Sequence, residues 1–347
     1  MPKVSILLPN LNNACYLVER FESILAQTIQ DWELIVVDSY SDDGAWEIIQ
    51  KYASIDKRIK PSQSPKEGIY GGINRCYQQS SGKFIYIATS DDTMHPMCLE
   101  IMMEALHRNS ECDIAHCCLT VIDNESNMIN PNPWDNYSPS RFYGDIMHKE
   151  HIRYAPLDGI LHAFLCTVYT SLTQLLVRRS VYHKVGLFSR DYGSWADFGW
   201  AMKASLLCNT VHIPRYLATW RFHPNQATAS NLSVNPNRYI SFIQMTSEAV
   251  AASSPMLNSA DRKIIREKSL SRYYKLKYIS LLRDSSYAFS TKSLKVLCEI
   301  YSDPRVLKHV LLCSLFSGYN IKLNEVNDAQ QFCDEHNLMS NIRLLNK

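Results

Sequence analysis

The sequence predicts an α/β protein in which a mostly parallel central sheet is flanked by helices, with a helical C-terminal extension. Three observations predict it. Residues 4–87 alternate short apolar runs with amphipathic stretches. Carboxylates stand at the ends of two of those runs, Asp38 and the pair Asp91-Asp92. From about Arg238 the strand-like runs give way to helical patterning. The expected organisation is a main domain over 1–237, divisible near residues 121/122, and a helical region over 238–347.

Each element has its own signal. Val4–Leu8 is a β-branched and aliphatic run, and Pro9-Asn10-Leu11-Asn12-Asn13 closes it. Asn12 or Asn13 can cap the following helix, whose Leu17, Phe21, Ile24 and Leu25 repeat at helical spacing. Trp32–Val37 is a second strand ending at Asp38, and Ser41-Asp42-Asp43-Gly44 turns the chain. Ala45, Ile49, Tyr52 and Ala53 line one helical face. A weak strand follows at Ile59–Ser62, then a helix over Gly68–Gln79 that stops at Ser80-Ser81-Gly82. Phe84, Ile85, Tyr86 and Ile87 form the fourth strand, which runs into Asp91-Asp92 and halts at Pro96. A helix to about Arg108 and a strand over Ile114–Val121 come next. Asp123–Asp158 is polar and rich in Asn, Pro and Tyr, so it is expected to be a long functional loop. Leu172–Val177 returns to strand, and Arg178-Arg179-Ser180 opens a helix ending at Gly186. A loop enters a helix over Phe198–Leu207, and Tyr216–Phe222 is a short extended stretch.

Composition narrows the class. With 347 residues, 46% of them hydrophobic, the chain can bury one large core, and a net charge of +2 argues against a polyanion binder. No motif for nucleic-acid recognition is present. Eleven scattered cysteines without a CxxC pair suit free thiols in a reducing compartment, so a cytoplasmic location is expected. The N-terminal run is too short for a signal-peptide core and reads as a strand. Gly159–Val177 lacks charges but carries His162, Thr167, Thr170, Ser171, Thr173 and Gln174. It is too polar for a membrane span and is expected to be buried core and a wall of the site.

In a parallel sheet the ends of the strands at Asn10, Asp38 and Asp91 face one crevice, where such folds bind ligands. Two adjacent carboxylates invite a hard divalent cation such as Mg²⁺ or Mn²⁺, although a solvated turn would also use them. Asp38 could hydrogen-bond a ribose or base, or cap its own turn. Neither GxGxxG nor GxxxxGK[ST] occurs, so a dinucleotide fold and a P-loop are both unsupported.

The segment VSILLPNLNNACYLVERFESILAQTIQDWELIVVDSYSDDGAWEII resembles the opening of family 2 glycosyltransferases with the Rossmann-like GT-A fold. GIYGGINRCYQQSSGKFIYIATSDDTMHP resembles that family's next block. The resemblance covers roughly residues 3–230 and implies a nucleotide-sugar half over 1–121 and an acceptor half over 122–237. It implies an NDP-sugar donor, most often UDP-linked, and a glycan or lipid-linked acceptor. Pro9, Asn10 and Asn12 would surround the nucleotide, Asp38 would lie near the base, and Asn74 and Ser90 would join the donor site. Asp91, Asp92 and His223 would be the metal ligands. Asp197, in Trp195-Ala196-Asp197, would be the base of an inverting transfer; otherwise it caps its helix. Trp195 either stacks on a sugar or belongs to the core.

Two positions depart from the family pattern. Thr89 stands where an Asp-x-Asp motif has its first carboxylate, and Ala196 precedes Asp197 where an acid is usual. They keep open a binding or scaffold protein on the same fold. A sugar nucleotidyltransferase would need a Gly-rich, basic loop after the first strand, which PNLNNACYL does not provide. Residues 262–283 gather eight basic side chains, Arg262, Lys263, Arg266, Lys268, Arg272, Lys275, Lys277 and Arg283. They read either as a surface for an anionic membrane or as the solvated face of a packed helix.

Overall fold

The structure is a computed structural model that describes residues 2–130, 138–165, 167–224, 226, 238–285, 304 and 325–345. Its strands are β1 (Val4–Asn10), β2 (Trp32–Asp38), β3 (Ile59–Gln63), β4 (Phe84–Ile87), β5 (Ile114–Ile122), β6 (Met128–Asn130), β7 (His151–Arg153), β8 (Leu175–Arg178), β9 (Thr210–Arg221) and β10 (Ile342–Leu344). They form one sheet in the order β10-β7-β9-β5-β8-β4-β1-β2-β3, with β6 hydrogen-bonded to β5. β3, β2, β1 and β4 pair in parallel, as do β5 and β9. β8 is inserted antiparallel between β4 and β5. The sheet is therefore mixed but mostly parallel, as the sequence predicts.

Helices cover both faces of the sheet. α1 (Ala14–Leu25), α2 (Ala45–Ile55) and α4 (Cys98–Arg108) pack on one face; α3 (Gly68–Gln79), α6 (Leu157–Leu165), α7 (Ser180–Val185) and α8 (Ala196–Leu207) pack on the other. Strand alternation divides the core between them. Val4, Ile6 and Leu8 of β1 join the first face, while Leu7 joins the second. Because both faces are covered, β1 and β2 are buried along their whole lengths, and this is why they read as continuous apolar runs.

Several expectations change. Residues 123–158 are not one irregular loop: beyond 131–137, which lie outside the described residues, they contain β6, α5 (Ser138–Tyr143) and β7. These elements are short, and Asn- and Pro-rich flanks conceal them. Of the described residues between 159 and 177, most are buried in the core, but none lines the large cavity described below. α6 is buried on every side, its Asp158 paired with the buried Arg153 at 3.0 Å. Its Gly159 is required there, since a Cβ would stand 2.6 Å from the Leu206 backbone nitrogen. Leu172–Gln174 is a 3-10 turn, so the strand begins at Leu175. β9 starts at Thr210, well before the expected Tyr216, because its apolar first half pairs with β5. Asn13 does precede α1, but its side chain makes no capping bond.

The helical extension is present as α9 (Arg238–Ala252) and α10 (Ser259–Ser285), with α11 (Glu325–Glu335) further on. It is not a separately packed unit. Tyr239, Met245, Ala249, Val250, Ile265 and Tyr273 share one core with Phe198, Ala201 and Met202 of α8. A cut at residue 237 would expose that core. Among the described residues, no helix is long and apolar enough to cross a membrane.

Candidate active site

The parallel register of β1 and β2 sets Asn10 beside Asp38. Asn10 Nδ2 donates to Asp38 Oδ1 over 2.8 Å, and the Ser41 hydroxyl donates to the same oxygen over 2.6 Å. The Ser41 N–H and Gln63 Nε2 donate to Oδ2 over 3.0 and 3.3 Å. Burial opposes ionisation of Asp38, but these bonds outweigh it and hold its pKa below the ordinary carboxylate value. Asp38 thus stands one layer behind the surface and fixes the strand-end loops. Asn12 takes a left-handed conformation, φ 52°, which Asn tolerates better than most residues. Its Oδ1 accepts the Asp42 N–H, so loops from both strands are tied together.

β4 delivers Thr89-Ser90-Asp91-Asp92 next to β1. The two acids then part. Asp91 faces outward, its side chain 22% exposed, and its Oδ2 lies 3.1 Å from His223 Nε2, in position to accept the Nε2–H. Asp92 is turned inward and is 2% exposed. One of its oxygens accepts the Arg221 N–H over 2.7 Å, and the other accepts the Thr89 hydroxyl. Burial and the neighbouring Asp91 charge push its pKa up to about 7, against those two bonds. Asp92 is therefore not available to a metal in this arrangement, contrary to the expectation. Thr89 explains the change. Where the family pattern has a carboxylate, its hydroxyl gives Asp92 an inward partner.

Arg221 organises this turn, a role the sequence did not reveal. Its guanidinium is buried; Nε donates to the Asp91 carbonyl over 2.5 Å, and Nη1 donates to the Asp123 carbonyl and Ser126 hydroxyl, each over 2.9 Å. Nη2 meets Glu19 Oε2 at 2.7 Å, and the group lies over the Tyr16 ring. Removing it leaves several acceptors unpaired. Arg221→Ala is expected to cost about 3 kcal/mol or more of stability, as loss of a buried charged donor does. Urea unfolding checks this; a change below about 1 kcal/mol would contradict the clamp.

These strand ends enclose a cavity of about 560 Å³. Pro9, Asn10, Asn12, Ser90, Asp91 and His223 all line it, so six of the predicted donor and metal residues converge. Asn13 Nδ2 donates to Ser90 Oγ over 2.7 Å, closing the wall between β1 and β4. The start of α3 forms the opposite side, Gly68 to Gly71. Gly72 lets α3 approach, since a Cβ there would stand 2.9 Å from that of Pro9. Lys66, Glu67 and Arg190 also line the cavity and were not singled out from the sequence. Glu67 pairs with Arg75 at 2.5 Å and Arg190 at 3.3 Å, a surface network with no pattern of its own.

Asn74 is not in the wall. Its Nδ2 donates to the Phe188 carbonyl over 2.8 Å and its Oδ1 accepts the Phe188 N–H over 3.1 Å. With both ends of its amide committed to the Phe188 backbone, it docks the 186–195 segment on α3 and does not line the cavity. Trp195 packs edge-on against Phe242, ring centroids 5.4 Å apart, and so belongs to the core.

Asp197 is the second residue of α8, whose cap position is Trp195, so it is not the helix cap. Its Oδ1 accepts the Phe198 N–H over 2.8 Å. Burial pushes its pKa up to about 6, against hydrogen bonds from Tyr70 and the Phe198 N–H. Such a carboxylate is ionised at neutral pH yet basic enough to take a proton. Gly193 and Ser194, just before it, line the cavity.

Residues 5–167 match the profile of Glycosyl transferase family 2. The chain is 30% identical over 130 residues to the GalNAc(5)-diNAcBac-PP-undecaprenol beta-1,3-glucosyltransferase of Campylobacter jejuni, covering 37% of this chain and 41% of that protein. It spans less than half the length of the first curated relatives it matches. The fold resembles S. aureus TarS 1–349 solved with UDP-GlcNAc, with a TM-score of 0.63 and 15% identity over 96% of this chain and 92% of that one. It also resembles the mannosyltransferase PcManGT of Pyrobaculum calidifontis solved with GDP-Man and Mn²⁺, with a TM-score of 0.54 and 14% identity over 97% and 88% of the two chains.

Proposed function

We propose that the protein, whose residues 5–167 match the profile of Glycosyl transferase family 2, moves a sugar from a nucleoside-diphosphate sugar, a UDP-sugar first among them, to a hydroxyl of a glycan or lipid-linked acceptor. The observation that carries this is the convergence of Pro9, Asn10, Asn12, Ser90, Asp91 and His223 on one cavity at the strand ends. Its size suits a nucleotide sugar.

The nucleotide lies along the ends of β1 and β2, with the Asp38 network holding the loops that receive it. Asp91 and His223 fit a divalent cation such as Mn²⁺ or Mg²⁺. One carboxylate oxygen and one imidazole nitrogen lie 3.1 Å apart, and a cation bound there would take the place of the Nε2 proton between them. Such ions accept few protein donors when phosphate oxygens and water complete the shell. When bound, the cation would neutralise charge on the departing diphosphate.

Asp197 takes the proton from the acceptor hydroxyl. The acceptor oxygen bonds to the anomeric carbon, and the bond from that carbon to the diphosphate oxygen breaks. Attack from the face opposite the leaving group inverts the anomeric centre. The test is UDP release from a panel of UDP-hexoses and UDP-N-acetylhexosamines, with Mn²⁺, Mg²⁺ or chelator. Cation-dependent release with one sugar supports the reading. A protein that binds UDP tightly and releases none from any donor or acceptor tried would be a binding module on this fold.

A lipid-linked acceptor would bring the chain to an anionic bilayer surface. α10 turns Ile265, Tyr273 and Tyr274 inward and leaves Lys263 and Arg266 exposed. The side chains of Lys275 and 277–285 lie outside the described residues. With the apolar face committed to the core, attachment would be electrostatic and salt-sensitive, each exposed cation contributing about 1 kcal/mol. Lys263→Glu with Arg266→Glu is expected to weaken co-sedimentation with phosphatidylserine vesicles more than tenfold in low salt. Equal binding of the variant, or binding indifferent to salt, would reject the contact.

A further inference from the structure

Residues 187–195 form a strap between α7 and α8, with Gly186 before it and Gly193 within it at positive φ, 88° and 53°. Arg190, Gly193 and Ser194 of the strap line the cavity, and the strap runs directly into α8 and Asp197. α3 and the turn before it hold the strap at three points. The Tyr70 hydroxyl donates to the Ser194 carbonyl over 3.3 Å, and Arg190 meets Glu67 at 3.3 Å. Arg190 is exposed, so that ion pair holds weakly. The third point is shorter and buried. Asn74 Nδ2 donates to the Phe188 carbonyl over 2.8 Å, and Asn74 Oδ1 accepts the Phe188 N–H over 3.1 Å. The Phe188 ring stacks on Tyr70, centroids 5.3 Å apart, and on Trp200 of α8 at 4.9 Å. Trp200 Nε1 donates to the Gly186 carbonyl over 2.9 Å. Phe188 is thus the common contact of α3, the strap and α8.

We infer that Asn74 is a positioning residue for sugar transfer: by gripping the Phe188 backbone it fixes the strap, and through the strap and Trp200 the start of α8 that carries Asp197. The inference rests on Asp197 being the base. An amide suits this clip because it offers a donor and an acceptor side by side, matched to the carbonyl and N–H of one residue. Asn74 does not line the cavity, so it acts on the placement of the wall and not on the donor. A carboxylate of the same shape would still accept the Phe188 N–H. Its second oxygen, however, would face the Phe188 carbonyl with no proton between them. Protonated, the carboxyl regains a donor. Burial and a facing carbonyl both raise the pKa of such a group, so the clip in Asn74→Asp would hold at acidic pH and open as pH rises through that raised value. The titratable side chains against the Phe188 ring, Tyr70 and Tyr182, are phenols that burial raises further, so neither changes charge in that range.

Asn74→Asp is the test, read as its ratio to wild type at each pH so that the titration of Asp197 divides out. Its kcat is expected to lie roughly tenfold or more below wild type at about pH 8 and to return to within about threefold at about pH 5.5. The Kd for UDP should stay within about twofold of wild type throughout. Amide hydrogen exchange reads the clip without turnover: at about pH 8, residues 187–195 should exchange roughly tenfold faster in the variant. If Asn74→Asp does not fold at that pH, Trp200→Phe carries the test. It keeps a ring against Phe188 and removes the bond to the Gly186 carbonyl, so kcat should fall about threefold or more with no recovery in acid. An unchanged kcat in Trp200→Phe would then overturn the inference. So would faster strap exchange in Asn74→Asp with a kcat within about twofold of wild type, a lowered ratio that stays flat with pH, or weaker UDP binding at normal kcat. Wild type that releases no UDP from any donor, or normal turnover in Asp197→Asn, overturns instead the reading on which the inference rests.

Discussion

Asp91→Asn is expected to lower sugar transfer by roughly 10²–10³-fold, the scale seen when a group stabilising transition-state charge is removed. The change keeps the shape and removes the charge. An amide oxygen can still accept from His223 Nε2, so the 3.1 Å contact and the fold should survive. What goes is the anionic oxygen suited to a hard cation. The same variant makes a binding prediction. Wild-type protein with UDP and Mn²⁺ should be stabilised by about 2.7 kcal/mol when the ligand is at 100 times its Kd. Chelator should remove most of that gain from wild type and change little in Asp91→Asn. Equal melting shifts with and without chelator in wild type would argue against a cation bridging protein and diphosphate. Near-normal turnover of Asp91→Asn in metal-free buffer would exclude the role of Asp91 altogether.

Why Asp91 and not Asp92 could not be read from Ser90-Asp91-Asp92. Ser90 and Asp91 sit in a turn beyond the end of β4, where no strand alternation sorts the two acids. Which one turns inward depends on Thr89 and on Arg221, and Arg221 lies 130 positions away in sequence from the Asp91 carbonyl it holds. The alternating strands and helices were legible because periodicity of burial is a local property, and Leu7 against Ile6 and Leu8 shows it at work. The strand-end location of Asn10, Asp38 and Asp91 followed from that alternation. Less legible were contacts between distant elements. Asn74 is an amide on a helix near the site, and nothing local distinguishes one that would meet a nucleotide from one that grips Phe188. Tyr70 and Arg190 were hidden for the same reason. Both gain their meaning from loops at 186–195 that fold back over α3. Insertion of β8 between β4 and β5 is likewise a long-range event, with no trace in its four residues.

Asp197→Asn is the variant that separates a base from a merely well-packed acid. The pKa of Asp197 in the folded protein, about 6, lies above its unfolded value near 4. A group raised in this way contributes its stability fully below the unfolded pKa and loses it as pH rises through the folded one. At pH 8 wild-type Asp197 is ionised in surroundings that disfavour the charge. Asparagine resembles the protonated acid, so Asp197→Asn should melt no lower than wild type at pH 8, and the gap should close on going below pH 4. The same amide cannot accept the acceptor's proton, so turnover should fall by roughly 10²–10⁴-fold. UDP and Mn²⁺ binding should be unchanged, because Asp91 and His223 line the cavity and Asp197 does not. The fall should also be flat across pH, where wild type rises through an acidic limb. An Asp197→Asn protein that is equally stable and turns over at the wild-type rate would leave that carboxylate as packing and would move the search for the base to Glu67, the remaining acid besides Asp91 in the cavity wall.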